Sequence, residues 1–209
     1  MKKLGMFLLF VLSVAVAMPC AYAQSKDQKN AEKAIKKEVK ALTKEGWKVA
    51  PGNLSMELQL KESYAKALDK DAYGYDNFVS GEAMTTGETY DAALFQATNL
   101  AKLDMAAKIQ TEVTELIDNK LANKQLSEKQ AVSLAQSVAS SKSLVVQKIG
   151  RVITPVKMYR DLPNGNVEVR AVIYYSHKLA MDAVKQSLRE DLEQKADELS
   201  KQLDDLLDM

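Results

Sequence analysis

The sequence predicts an α+β fold: a two-layer domain with a three-stranded, mainly antiparallel β-α-β-β core and long helices at both ends. Three observations point to it. The segment Arg151–Ser176, RVITPVKMYRDLPNGNVEVRAVIYYS, reads as two strands hinged on Asn164-Gly165. The run FVSGEAMT, Phe78–Thr85, supplies the third strand that a two-stranded hairpin needs for stability. Most of the remaining chain carries apolar residues at three- and four-residue steps, so helices cover the sheet.

Residues 1–23 read as a secretory signal peptide. Lys2 and Lys3 precede the apolar run LGMFLLFVLSVAVAM, and Ala21 and Ala23 supply the A-x-A pattern for cleavage before Gln24. The run is short for a membrane span of about 20 residues. Cys20, the single cysteine, falls inside this leader. Pro19 stands where lipoprotein attachment needs a small residue, so the expected mature chain has no cysteine; a lipidated Cys20 is the alternative. The expected location is the periplasm or the outer membrane's surface. The mature chain would have no transmembrane span, with peripheral membrane contact left open.

Residues 24–76 form an expected N-terminal helical extension. Its first helix, Lys26 to Lys44, carries Ala31, Ala34, Ile35, Val39 and Leu42 on one stripe and ends at Gly46 as a left-handed cap. Pro51-Gly52 marks a turn. Leu54, Leu58, Tyr64, Ala65 and Leu68 then resume helical spacing.

Residues 77–176 are the expected core. Gly81 and Ala83 are small, so something packs close on the first strand. Thr85 and Glu88 have the spacing of a capping box before a long helix. That helix keeps Ala93, Ala97, Leu100, Ala101, Ala107, Val113 and Leu116 to one side. Ser127 and Gln130 form a second capping box, so a break near 123–127 divides two helices. In the hairpin, a two-residue Asn-Gly loop places Val156 opposite Ile173, Met158 opposite Ala171 and Tyr159 opposite Arg170. Pro155 favours an edge position or a bulge.

Residues 177–209 are the expected C-terminal amphipathic helix, with Ser176 as its N-cap. Leu188, Leu192, Ala196, Leu199, Leu203 and Leu206 step by 4, 4, 3, 4 and 3, a heptad seam from Leu192 on. Leu192, Leu199, Leu203 and Leu206 are therefore the candidate interaction surface, for a second copy or an envelope partner. Packing of this helix on its own domain is the plainer alternative.

Little in the sequence points to catalysis. His177 is the only histidine, too few for a histidine cluster, and at a helix start it is expected to be solvated. Phosphate-loop, nucleophile-elbow and zinc-protease motifs are absent. The carboxylate pairs Glu190-Asp191 and Asp204-Asp205 lie on a charged helical surface. DKDAYGYDNFVS begins like a calcium loop with Asp69, Asp71 and Gly74. Tyr73 and Ser80 then stand where oxygen ligands belong, which leaves an ordinary acidic loop and no expected metal or cofactor. The balance of 29 Lys+Arg against 28 Asp+Glu gives no footprint for nucleic acid. The aromatics Trp47, Tyr64, Tyr73, Tyr75, Phe78 and Tyr90 read as core, or as the lining of a site between sheet and helices.

The segment GEAMTTGETYDAALFQATNLAKLDMAAKI resembles the bacterial envelope lipoprotein family of the flagellar P protein and a twenty-kilodalton outer-membrane antigen. Gly81, Ala93, Ala97 and Ala101 fit its glycine-bearing strand and alanine-striped helix. Lys102, Met105 and Ala106 stand where that family has Arg, Leu and Ala, and Val167–Ser176 looks like its late strand. The chain also looks like secreted proteins of unassigned role from Bacteroidetes-type bacteria. The resemblance implies a β-α-β-β core in the envelope, a tendency to assemble, and no enzyme activity. The function expected is that of a non-enzymatic structural or assembly protein of the cell envelope, self-associating through the hairpin edge or the terminal helices. The alternative is a periplasmic binding module for a small apolar or glycan ligand near Trp47 and Tyr90.

Overall fold

A computed structural model describes residues 26–140 and 142–192. The signal peptide with Cys20, and Leu199, Leu203 and Leu206 of the C-terminal seam, lie outside the described residues; Leu192 is the last of them. The elements run α1 (Lys26–Lys44), α2 (Met56–Ala67), β1 (Phe78–Gly87), α3 (Tyr90–Ala122), α4 (Glu128–Ser140), α5 (Lys142–Lys148), β2 (Ile153–Asp161), β3 (Val167–Ser176) and α6 (His177–Leu192). The class is α+β, with a three-stranded antiparallel sheet in the order β1-β3-β2. Among the described residues no helix is long and apolar enough to cross a membrane.

β3 is the central strand, and VIYY makes it apolar on both faces. Val169, Ala171 and Ile173 pack towards α3, while Val172 and Tyr174 pack with Ile35, Trp47, Met56 and Leu60 of the N-terminal region. The sheet therefore lies between two helical layers, and the expected pair of layers gains a third. The N-terminal helices roof its second face and are no mere extension.

The hairpin register differs from the expected one by one residue. Val156 faces Val172, Tyr159 faces Val169 and Arg160 faces Glu168. The loop has three residues: Gly165 N–H donates to the Leu162 carbonyl at 3.0 Å and Leu162 N–H to the Asn166 carbonyl at 2.8 Å. Gly165 has φ +84°, while Asn164 keeps a negative φ. A two-residue type I′ loop needs positive φ at both central residues. Pro163, with φ fixed near −65°, instead favours the second position of a type I turn, with Gly165 in the left-handed bulge that follows. Alternation could not decide the register, because both parities of β3 are apolar. Pro155 lies at the irregularity between Ile153 and Val156 on the edge strand β2, as its missing N–H requires.

Helix α3 folds straight back along β1. Its buried row is Ala93, Ala97, Ala101, Met105, Ile109, Val113 and Ile117, in unbroken four-residue steps. Each step overshoots a turn by about 40°, so the row winds roughly two-thirds of the way round the helix. The alanine half lies on the sheet. The larger residues pack among Leu134 and Val138 of α4, Val145 of α5, and Val184 and Leu188 of α6. The expected members Leu100 and Ala107 lie off this row, and Leu100 is exposed. At Gly81 the approach is so close that an added Cβ would stand 2.0 Å from the Ala101 carbonyl oxygen.

Helix starts follow local chemistry. Gly46, at φ +85°, closes α1, and Trp47 N–H donates to the Leu42 carbonyl at 3.0 Å. Ser55 caps α2, which sets a phase that buries Met56, Gln59 and Leu60. The expected stripe is overturned, since Leu54, Leu58 and Leu68 are exposed. β1 runs on to Gly87, so Thr85 is strand and its hydroxyl donates to the Ala93 carbonyl at 2.7 Å; Thr89 is the cap of α3. The Ser127–Gln130 box forms as expected, with Ser127 N–H donating to Gln130 Oε1 at 2.8 Å and Gln130 N–H to Ser127 Oγ at 3.4 Å.

Candidate functional site

Where β1 begins and β3 ends, the chain brings together one loop, one strand and two helices around a cleft of about 330 Å³. Its walls are Tyr75 and Asp76 from the loop, Phe78, Val79 and Ser80 from β1, Lys108 and Glu112 from α3, and His177 from α6. The volume lies at the lower end of small-molecule sites.

Each charged group in the cleft is already engaged. His177 Nε2 lies 2.8 and 2.9 Å from the two Glu112 oxygens. Lys108 Nζ donates to the Ser80 carbonyl at 3.1 Å and pairs with Asp104 at 2.8 Å. Asp76 pairs with Lys70 at 2.6 Å. The Glu112 carboxylate raises the His177 pKa above the usual imidazole value, chiefly through the hydrogen bond, with its charge and that of Asp76 adding; burial opposes. His177 is thus half-buried and paired, contrary to the solvated role expected of it. The carboxylate thus favours the protonated form of the imidazole. Paired charges of both signs beside the cleft suit electrostatic recognition of a small polar ligand.

The loop 69–77 that forms one wall uses its carboxylates internally. Asp71 Oδ1 accepts from the Tyr73 and Tyr75 amides at 2.8 and 2.9 Å, and Asp69 Oδ1 from Asn77 Nδ2 at 3.0 Å. These contacts account for the calcium-like spacing by loop chemistry. The Asn77 carbonyl accepts from His177 N–H at 2.9 Å and fixes the loop to the start of α6. Ser176 caps that helix from Oγ to Leu179 N–H at 3.4 Å, as expected.

The site expected near Trp47 and Tyr90 does not form. Arg160 lies over the Trp47 ring at 4.8 Å, and Tyr159 meets Tyr90 edge-on at 5.3 Å. Tyr159 and Arg160 are successive strand residues and point to opposite faces, so Trp47 and Tyr90 are separated by the sheet. Tyr73 and Tyr75 are not core, being 87% and 72% exposed. Glu112 had no sequence signal: it meets His177 only because α3 folds back over β1.

No family model matches the chain, and it has no match among curated proteins or solved structures.

Proposed function

We propose that the protein is an exported, non-enzymatic structural or assembly protein of the bacterial cell envelope. One observation carries this: a group of exposed leucines on and beside α2. Leu58 of α2, and Leu54 and Leu68 just beyond its two ends, are each half or more exposed. Single exposed leucines are ordinary, but three grouped around one short helix mark a surface for association. The leader-like N-terminus and the leucine seam from Leu192 support the same function. Fractionation should find the chain in the periplasm or at the outer membrane. Crosslinking in intact cells should join it to itself or to an envelope protein. A chain that stays monomeric at every concentration in ultracentrifugation, and captures nothing in cells, would overturn the proposal.

The cleft favours a second function, a binding module for a small polar or glycan ligand. Tyr75 offers an aromatic face beside paired charges of both signs. Native mass spectrometry of protein taken from its own host should then show a retained ligand that His177→Ala loses. A bare mass in both forms would count against it.

A further inference from the structure

We infer that the outer surface of α1 and α2 receives the acidic C-terminal segment, residues 193–209, of a second copy of the chain. This rests on the assembly function proposed above and names its contact surface.

The receiving surface is basic and apolar together. Helix α1 carries seven lysines against three acids, and Lys33, Lys36, Lys37, Lys40 and Lys44 are exposed. Among the described residues none of these five forms an ion pair. Glu38, one of the three acids of α1, is held by Arg170 at 3.4 Å and by Tyr64 at 3.3 Å. A row of like charges repels itself and is relieved by an acidic partner. Next to it, Leu58 of α2 and the flanking Leu54 and Leu68 are exposed.

The segment 193–209 is complementary in both respects. It holds six acids, Glu193, Asp197, Glu198, Asp204, Asp205 and Asp208, against Lys195 and Lys201. Leu192, Ala196, Leu199, Leu203 and Leu206 step by 4, 3, 4 and 3 in the sequence. An apolar line flanked by acids can mate with exposed leucines flanked by lysines, the charges setting the pairing. A second copy, and not the same chain, is the donor because of where the segment starts. Helix α6 packs with α3, α4 and α5 on one side of the sheet, whereas α1 and α2 lie on the other.

The test uses the processed full chain, mixed equally in unlabelled and nitrogen-15 forms. Zero-length carbodiimide crosslinks between the α1 lysines and the acids of 193–209 should join light to heavy chains. Sedimentation should show an assembly whose association constant falls about tenfold or more between about 0.05 and about 0.5 M salt. Lys33, Lys36, Lys37 and Lys40 changed together to Glu should yield monomers with an unchanged circular dichroism spectrum. Changing Glu193, Asp197, Glu198 and Asp204 to Lys in that variant should restore assembly. Crosslinks confined to single-isotope chains would overturn the inference in favour of docking within one chain. Assembly that survives the lysine changes would overturn it and leave the proposed function standing. An intact chain that is monomeric throughout would sink both. A monomer whose lysine variant loses binding to phosphatidylglycerol vesicles would replace the second copy with a membrane surface.

Discussion

Gln59 Oε1 accepts a 2.8 Å hydrogen bond from the backbone N–H of Lys157, so a helix side chain terminates the outer edge of β2. Gln59 Nε2 in turn donates to the Leu54 carbonyl at 2.8 Å, which holds the amide in place. Two residues on, Lys48 exchanges backbone hydrogen bonds with Tyr159 at 2.7 and 2.9 Å. The opposite edge is treated alike: Asp104 accepts from Glu82 N–H at 3.1 Å and Lys108 donates to the Ser80 carbonyl. Open edges invite pairing with another chain. The hairpin edge expected to associate is therefore already occupied at residues 157 and 159, which leaves the helical surfaces for the assembly proposed above.

Gln59→Leu keeps the bulk but strands a buried N–H. The expected cost is about 1–3 kcal/mol, seen as a lower urea midpoint at constant slope. Light scattering should rise as the β2 edge opens. An unchanged midpoint would mean that water replaces the amide without loss.

Gly81→Ala should be worse. Its Cβ would meet the Ala101 carbonyl oxygen at 2.0 Å, so α3 must lift from the sheet, at an expected cost of at least about 3 kcal/mol. Adding Ala101→Gly should not rescue it, because the clashing atom is main chain. Gly150→Ala, where the nearest atom is Tyr175 Oη at 3.8 Å, is the control that should fold normally. Thermal unfolding of the three variants decides.

The contrast between these sites shows what sequence could disclose. Gly81 and the alanine run announced close packing because only small residues fit such an approach, and Gly46 and the Ser127–Gln130 box fixed helix ends through local hydrogen bonds. Gln59 and Glu112 gave no sign. Each meets a partner set by the tertiary path of the chain, and nothing in its neighbours' spacing records that. The α2 stripe failed for a related reason: five apolar residues fit one helical face and three others fit another, and the cap at Ser55 chose between them.

The hairpin register can be tested chemically. Asp161 faces Val167, so Asp161→Cys with Val167→Cys should oxidise readily to a disulfide, while Asp161→Cys with Glu168→Cys should not. Gly165→Ala should cost about 1–2 kcal/mol, since φ +84° is the left-handed region. Easy oxidation of the second cysteine pair would restore the two-residue loop.

His177 links stability to pH. Its folded pKa is raised by the hydrogen bond to Glu112, so the folded state holds the proton more tightly than the unfolded chain does. The contribution is complete below about pH 6.5, the unfolded value, and fades as pH rises through the folded one. Urea midpoints should therefore fall on the alkaline side of about pH 6.5. Because the chain has one histidine, its imidazole carbon-bound proton signals can be followed without ambiguity. Those signals should titrate above about 6.5 in the native protein and shift downward in Glu112→Gln, where burial is left with less to oppose it. The same substitution should flatten that stretch of the stability profile. If the signals move but the profile does not, the pair adds nothing to the docking of α6 on α3, and the cleft can lose its charge without loosening the fold.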